Sequence, residues 1–380
     1  MNEAYLNTLL WVAGTVALIL VGSGALGATA RAVVRRRGAS QSLQQRTFAG
    51  YAFAAPWIIG FVIFVVAPMA ASLWWSFTNF KTGDDAAWVG LQNYGRLLGE
   101  DKDFRAALFN SLFLTVVGLP LQLIVALGLA LLLSQRLRGE RTYRMAFYLP
   151  VVLGLNPAAL LCGRLMLNAN NGLVNSVLRE IRTFPPVDWL LRAFIYVMEG
   201  ANALFLGMQT GSFNLWNTVL VAGFPGSERV PLWLQSPLWT KTSIILILVW
   251  GCGSMMLIYL AALYGVPREI HEAAEVDGAT PWQRFRMITL PLITPATFYN
   301  LIVGTIATIQ IFEQTYVFFR DSPTVAQSAY SVVYYLWRAT FRFNEIGYGS
   351  AISWILFLLI MVITVVQLRL QNRWVQYELK

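Results

Sequence analysis

The chain has 380 residues, of which 57% are hydrophobic and only 12% charged, with a mean hydropathy of +0.57. So little polar side chain cannot cover a water-soluble globule of this size, and the apolar runs are of helical length, so an all-α polytopic bundle in a bilayer is expected rather than a barrel of short strands. The formal charge of +9 would suggest nucleic acid in a soluble protein, and here its placement decides.

Seven spans are read in chain order: Leu6 to Ala28, Ala52 to Ser76, Ala107 to Leu133, Tyr143 to Leu167, Ser243 to Tyr264, Leu292 to Phe319, and Ile346 to Leu368. The first resembles a secretory signal, with Ala28-Thr29-Ala30 as a cleavage site, but nothing basic precedes it while Arg31, Arg35, Arg36 and Arg37 follow. It is read as an uncleaved helix with its N-terminus outside and the C-terminus, after an odd number of crossings, in the cytosol. That orientation puts Arg31 to Arg46, Gln135 to Arg144, Gly265 to Leu290 and the C-terminal tail inside. Those segments hold fifteen Lys and Arg against six Asp and Glu, an excess of nine, while the other side balances at thirteen each. The whole net charge thus lies where the positive-inside rule places it, which removes the reason to invoke nucleic acid.

Pro56 and Pro68 in the second span, Pro120 in the third, and Pro150 and Pro157 in the fourth are expected to interrupt their helices. Broken helices free backbone groups that must be satisfied within protein or at a water-filled cavity. Cys162 and Cys252 lie in apolar runs without metal or redox spacing and read as small hydrophobes. Between the fourth and fifth spans, Asn168 to Lys241 carries an apolar middle that Arg192, Glu199, Gly200, Gly207 and Gly211 divide into pieces too short to cross. Interfacial helices of an external subdomain are expected there, with a re-entrant hairpin as the alternative.

The stretch from Val266 to Pro291 encodes two short helices joined by a tight turn. Pro267 suits a first helical position and Gly278 the residue just past a helix end. Thr280, Pro281 and Gln283 form a capping box, and Pro291 is expected to end the second helix at the membrane. Glu269, Glu272, Glu275 and Asp277, beside the small Ala273 and Ala274, suit a surface that docks into a partner's groove; a solvated charged loop is the alternative.

Glu272-Ala273-Ala274, three residues, Gly278, nine residues, Ile288, then Leu290-Pro291 resembles the signature of the inner-membrane permeases of binding-protein-dependent ABC importers. The likeness extends to sugar-importer permeases similar to the larger maltose-transporter and glycerol-3-phosphate-transporter membrane subunits. It is carried by Pro68 to Phe80, Val89 to Tyr94, Arg138 to Pro150, Gly172 to Asn175 and Phe343 to Ala351. Departures are the additional N-terminal span, an insertion at about 180–230, and Phe319 to Pro323 where the family has a glycine-rich turn. The resemblance implies residues 1–48 as an extra transmembrane helix with a basic cytosolic linker, and 49–380 as the importer transmembrane domain with its coupling segment at 265–291.

The same resemblance implies the coupling roles. Glu272, Ala273, Ala274, Asp277, Gly278, Ile288, Leu290 and Pro291 would couple to the ATPase. The expected partners are two ATP-binding subunits, a second homologous permease chain, an extracytoplasmic solute-binding protein, a sugar-like solute and the lipid bilayer of a bacterial or archaeal plasma membrane. The chain has no GxxxxGK[ST] phosphate loop and is expected to bind no cofactor of its own; the resemblance implies that ATP and magnesium belong to the partner subunits.

Polar groups inside spans are costly and mark candidate pathway positions: Asn156, Trp250 with Gly251 and Ser254, Gln310, Glu313, Tyr316, Ser350 and Ser353. Interhelical hydrogen bonds are the alternative for each of them. A membrane-embedded glycosyltransferase would need clustered carboxylates, yet Glu313 is the one carboxylate deep in a span and His271 the sole histidine, read as an exposed coupling residue. A secondary transporter would need internal repeats, and none is evident. No catalytic or metal-ligating set is assigned.

Overall fold

A computed structural model describes residues 3–135, 140–152, 172–181, 239–319 and 328–376, with 163, 166–167, 188, 193, 233–234 and 237 between them. Its helices are α1 (Glu3–Arg36), α2 (Gln41–Trp75), α3 (Gln92–Gly99), α4 (Lys102–Ser134), α5 (Glu140–Val152), α6 (Leu173–Ile181), α7 (Thr240–Trp250), α8 (Gly253–Tyr264), α9 (Arg268–Val276), α10 (Pro281–Leu292), α11 (Thr294–Ile309), α12 (Glu313–Phe319), α13 (Val332–Trp337) and α14 (Ile346–Gln371). Among the described residues, α2, α4 and α14 are each long and apolar enough to cross a membrane. Two bent pairs, α7 with α8 at 44° and α10 with α11 at 61°, raise the spans to five if each pair is one crossing. Helix α1 covers the first expected span, and α5 covers the beginning of the fourth; most of the remainder of the fourth, with Asn156, Pro157 and Cys162, lies outside the described residues, as do nearly all of 180–230 and the stretch 320–323.

The expected linker at Arg31 to Arg46 is largely helical. Helix α1 runs on to Arg36, Gly38 turns the chain at φ +76°, and Ser40 caps α2, so the first two helices form a hairpin packed along its length.

The prolines do not interrupt their helices, contrary to expectation. Helix α2 continues through Pro56 and Pro68, α4 through Pro120, and α5 past Pro150. A proline inside a helix clashes with the carbonyl four residues earlier and donates no hydrogen bond. Before Pro68 the helix widens by one π turn at Val62–Val66, where Ala67 N–H reaches back five residues to Val62 O. Leu114–Gly118 does the same before Pro120, with Leu119 N–H donating to Leu114 O. The wider turn moves the obstructing carbonyl aside and keeps the axis continuous.

Helix α4 is the central post, packed against α7, α8, α11 and α13. Buried side chains cluster at two levels along it. Phe104, Leu114, Ile244, Ile309 and Tyr334 belong to one cluster, and Ala126, Ala130, Cys252, Met256 and Tyr259 to the other. Cys252, 3% exposed, packs as an apolar residue. Helix α14 closes the bundle against α2, α3, α11 and α13. Its first turn passes so close to the backbone that a Cβ on Gly347 would lie 2.1 Å from Thr78 O, which leaves glycine as the residue that fits.

Candidate functional site

The 265–291 segment forms helix α9, a turn, and helix α10. Pro267 is the residue before α9, at φ −62° and ψ 132°, rather than its first helical position. At the other end Gly278 sits at φ +76°, Ala279 N–H donates to Ala274 O at 2.9 Å, and Gly278 N–H to Glu275 O at 3.0 Å. Those two bonds complete a Schellman cap that satisfies the last carbonyls of α9 and requires the left-handed residue. Thr280 and Gln283 cap α10 reciprocally. An Arg284–Glu275 ion pair at 2.7 Å ties the two helices across the turn. Pro291 does not end α10: a π turn at Phe285–Thr289 carries the helix one residue past it to Leu292, and the bend falls at Ile293, two residues after the proline. There Thr294 Oγ1 donates to Pro291 O at 2.6 Å and caps a freed carbonyl.

Glu272, Ala273, Asp277, Gly278 and Leu290 are exposed, while Ala274, Ile288 and Pro291 are half-buried beneath them. His271, expected to be exposed, is half-buried and lines a small pocket with Arg268, Tyr264 and Thr289. Around the exposed acidic positions stand large apolar side chains: Val276 is 88% exposed, Met287 72% and Trp282 66%. A short helix pair that presents apolar side chains beside charges to the exterior has the composition of a protein interface.

The second feature is a cavity of about 730 Å³ between α4, α8 and α11. Two helix breaks meet it. Between α7 and α8 the chain turns at Gly251 and Cys252, and between α11 and α12 at Gln310, Ile311 and Phe312. Gln122, alone in the apolar run of α4, donates from Nε2 to Leu248 O at 2.8 Å, and so satisfies a carbonyl freed by the first break. Asn300 Nδ2 donates to Met255 O at 3.2 Å on the facing helix. Gly251, Ser254, Gln310 and Glu313 all line the cavity, with Gln310 and Glu313 both exposed in it.

Four other pathway candidates do not line it. Tyr316 packs into an aromatic cluster with Phe312 at 5.4 Å and Trp337 at 5.0 Å, because the break at Gln310 to Phe312 resets the helical phase and turns the next turn inward. Trp250 ends α7 one residue before the break and lies outside the lining, and Ser350, 7% exposed, is packed in the first turns of α14. Ser353 Oγ donates to Gly349 O at 3.0 Å within α14. Gln122, Tyr299, Asn300, Thr308 and Gln314 line the cavity and were not selected from sequence, although a lone glutamine or asparagine in an apolar run was a readable signal.

A third cluster lies where α3 and α4 meet α13 and α14. Asp101 caps α4, accepting Phe104 N–H at 2.9 Å on Oδ1, while its Oδ2 accepts the hydroxyls of Tyr335, at 2.5 Å, and Tyr348. Arg96 pairs with Glu345 at 3.1 Å and stacks 4.2 Å above the Tyr348 ring. Burial and the adjoining Asp101 carboxylate raise the Tyr335 pKa above its ordinary value.

A polytopic helical bundle with two helix breaks at one cavity, and an interface-like helix pair between them in sequence, has the architecture of a membrane transport component. The chain belongs to the family described as "Binding-protein-dependent transport system inner membrane component", which matches residues 172–376. It is 32% identical over 343 residues to the "Probable ABC transporter permease protein YesP" of Bacillus subtilis (strain 168), covering 90% of this chain and 96% of that one. It is 29% identical to the "Lactose transport system permease protein LacF" of Rhizobium radiobacter, covering 84% and 92% of the two chains. In fold it is similar to a chain of the bacterial alginate ABC transporter crystallised in complex with an alginate pentasaccharide-bound periplasmic protein: TM-score 0.65, 22% identity, 87% of this chain and 96% of that one. The protein is therefore a multi-pass inner-membrane permease component of a binding-protein-dependent ABC transporter, with ATP hydrolysis on a separate subunit.

Proposed function

We propose that this permease imports a sugar or oligosaccharide through the cavity at the two helix breaks, driven through the α9–α10 pair. The observation that carries the reading is the lining: amides and hydroxyls of Gln122, Ser254, Asn300, Gln310 and Gln314 stand beside the rings of Tyr299 and Phe312. Sugars suit such a wall, since rings cover their C–H faces and amides replace the water lost from their hydroxyls. The lactose permease among its relatives supports a saccharide as the solute.

In this reading two ATPase subunits bind α9 and α10, a second related permease completes the cavity, and an extracytoplasmic binding protein delivers the solute. Glu272, Ala273, Ala274, Asp277, Gly278, Ile288, Leu290 and Pro291 form the coupling surface, to which the exposed Val276, Trp282 and Met287 add apolar contact. Seven crossings, with an extra N-terminal helix before a six-span core, the N-terminus outside and the C-terminus in the cytosol, complete the arrangement. The inserted segment at 180–230 would then help dock the binding protein on the outer face.

Reconstitution of the permease with its partner subunits in proteoliposomes tests the proposal. Saccharide uptake should require both trapped ATP and the binding protein. Uptake driven by an ion gradient without ATP would make the protein a secondary transporter, and transfer of the sugar to lipid would make it a glycosyltransferase.

A further inference from the structure

Among the described residues the cavity wall carries a single charged side chain. Glu313, the residue immediately after the break that begins α12, is exposed in the cavity, and among the described residues that line it there is no Lys, Arg or His. The other polar contributors are neutral: Gln122, Ser254, Asn300, Gln310 and Gln314. No hydrogen bond or ion pair to the Glu313 carboxylate occurs among the described residues. Among the described residues nothing offsets its charge, in a cavity walled by Leu248, Met255, Ile258, Val303 and Ile311.

A carboxylate against such a low-dielectric wall acts on any solute that enters. It repels a second carboxylate or a phosphate, tolerates hydroxyls, whose O–H groups can donate to it, and attracts an ammonium. From this we infer that Glu313 is a specificity-determining residue: it restricts the permease to neutral or amino-bearing saccharides and turns away uronates and sugar phosphates. The inference rests on the reading of the cavity as the solute site, and adds a chemical class to it.

The test uses the complete complex of permeases and ATPase in nanodiscs without its binding protein, so that the selectivity of that protein does not enter. Affinities are measured calorimetrically for matched oligosaccharides built from glucose, glucosamine and glucuronate, and for the corresponding galactose series. The wild type should bind the uronate at least about tenfold more weakly than the neutral sugar, and the amino sugar at least as well as the neutral one. Glu313→Gln should reduce the uronate discrimination to below about threefold, and Glu313→Lys should reverse the preference. Equal binding of uronate and neutral sugar by the wild type, or an unchanged ratio in Glu313→Gln, would overturn the filter. So would a Glu313→Gln complex that fails to assemble, since the carboxylate would then belong to a subunit contact. If the wild type bound none of these saccharides, the failure would lie with the cavity as the solute site rather than with its charge.

Discussion

Replacing Asp101 by Ala should be among the most costly single changes in this permease outside its apolar core. The carboxylate performs three tasks at once: Oδ1 caps α4 through Phe104 N–H, and Oδ2 accepts from Tyr335 and Tyr348. Loss of an N-cap costs about 1 kcal/mol. Each hydrogen bond to a charged acceptor contributes about 1.5 kcal/mol or more, and Tyr335 and Tyr348 are only 8% and 4% exposed, so their hydroxyls would be left without that acceptor. The total is about 4 kcal/mol, read from unfolding of the purified chain in mixed micelles. Tyr335→Phe should cost about 1 kcal/mol alone and much less in the Asp101→Ala background, because a hydroxyl without its acceptor has nothing to lose. There is also a pH signature. The raised pKa of Tyr335 means that its contribution is complete below the ordinary tyrosine value near 10 and is lost as pH rises through the folded value. Stability of the wild type should therefore fall on the alkaline side more steeply than that of Tyr335→Phe. Strictly additive effects of Asp101→Ala and Tyr335→Phe, with equal alkaline slopes, would show that the carboxylate and the phenol do not act together.

Gly278→Val forces a β-branched residue to φ +76°, a strain of about 2 kcal/mol that should tilt α10 relative to α9; membrane insertion should be normal while uptake is lost, and uptake at wild-type rate would remove the Schellman turn from coupling. Glu272→Lys, on the exposed face of α9, should weaken co-purification of the ATPase, and unchanged stoichiometry would place the docking surface elsewhere. Gln310→Ala should weaken solute affinity by about tenfold, whereas Tyr316→Phe, in the aromatic cluster, should leave affinity unchanged; the opposite order would mean that α12 presents its other face to the solute. Side-specific reporters fused before Leu6 and after Lys380 should read outside and cytosol respectively, and a cytosolic N-terminus would refute the seven-span arrangement.

What the sequence disclosed was local chemistry. The Thr280–Gln283 box and the Gly278 turn involve residues three to five apart, so their geometry follows from spacing alone. The cluster at Asp101 was not legible, since its tyrosines lie 234 and 247 residues further along the chain. Of the pathway candidates, Ser254, Gln310 and Glu313 share the cavity because each lies at or beside a break. Tyr316, expected there as a polar group inside the span, lies outside the cavity because the helix does not continue through Gln310–Phe312.

Two of the helix breaks in this bundle, at Gly251–Cys252 and Gln310–Phe312, are independent of proline, whereas the 61° bend at Ile293 lies between Pro291 and Pro295. Pro68, Pro120 and Pro291 each follow a π turn whose last N–H reaches back five residues, so the carbonyl that would clash is displaced while the ladder loses little. The chain instead opens at Gly251–Cys252 and at Gln310–Phe312, where the second opening contains neither proline nor glycine. An opening inside a membrane survives only if the freed backbone groups find partners, and Gln122 Nε2 on Leu248 O supplies one across 126 residues of sequence. At Gly251–Cys252 the break is thus supported by a polar side chain on a neighbouring helix. It follows that Gln122→Leu, which keeps the approximate size but removes the amide donor, should disturb the cavity more than Pro120→Ala. The leucine leaves Leu248 O without its donor at a cost of about 1 to 2 kcal/mol, while the alanine restores a helical N–H and permits an ordinary turn. Solute affinity measured on both variants decides between them, and a larger loss in Pro120→Ala would return the break to the proline.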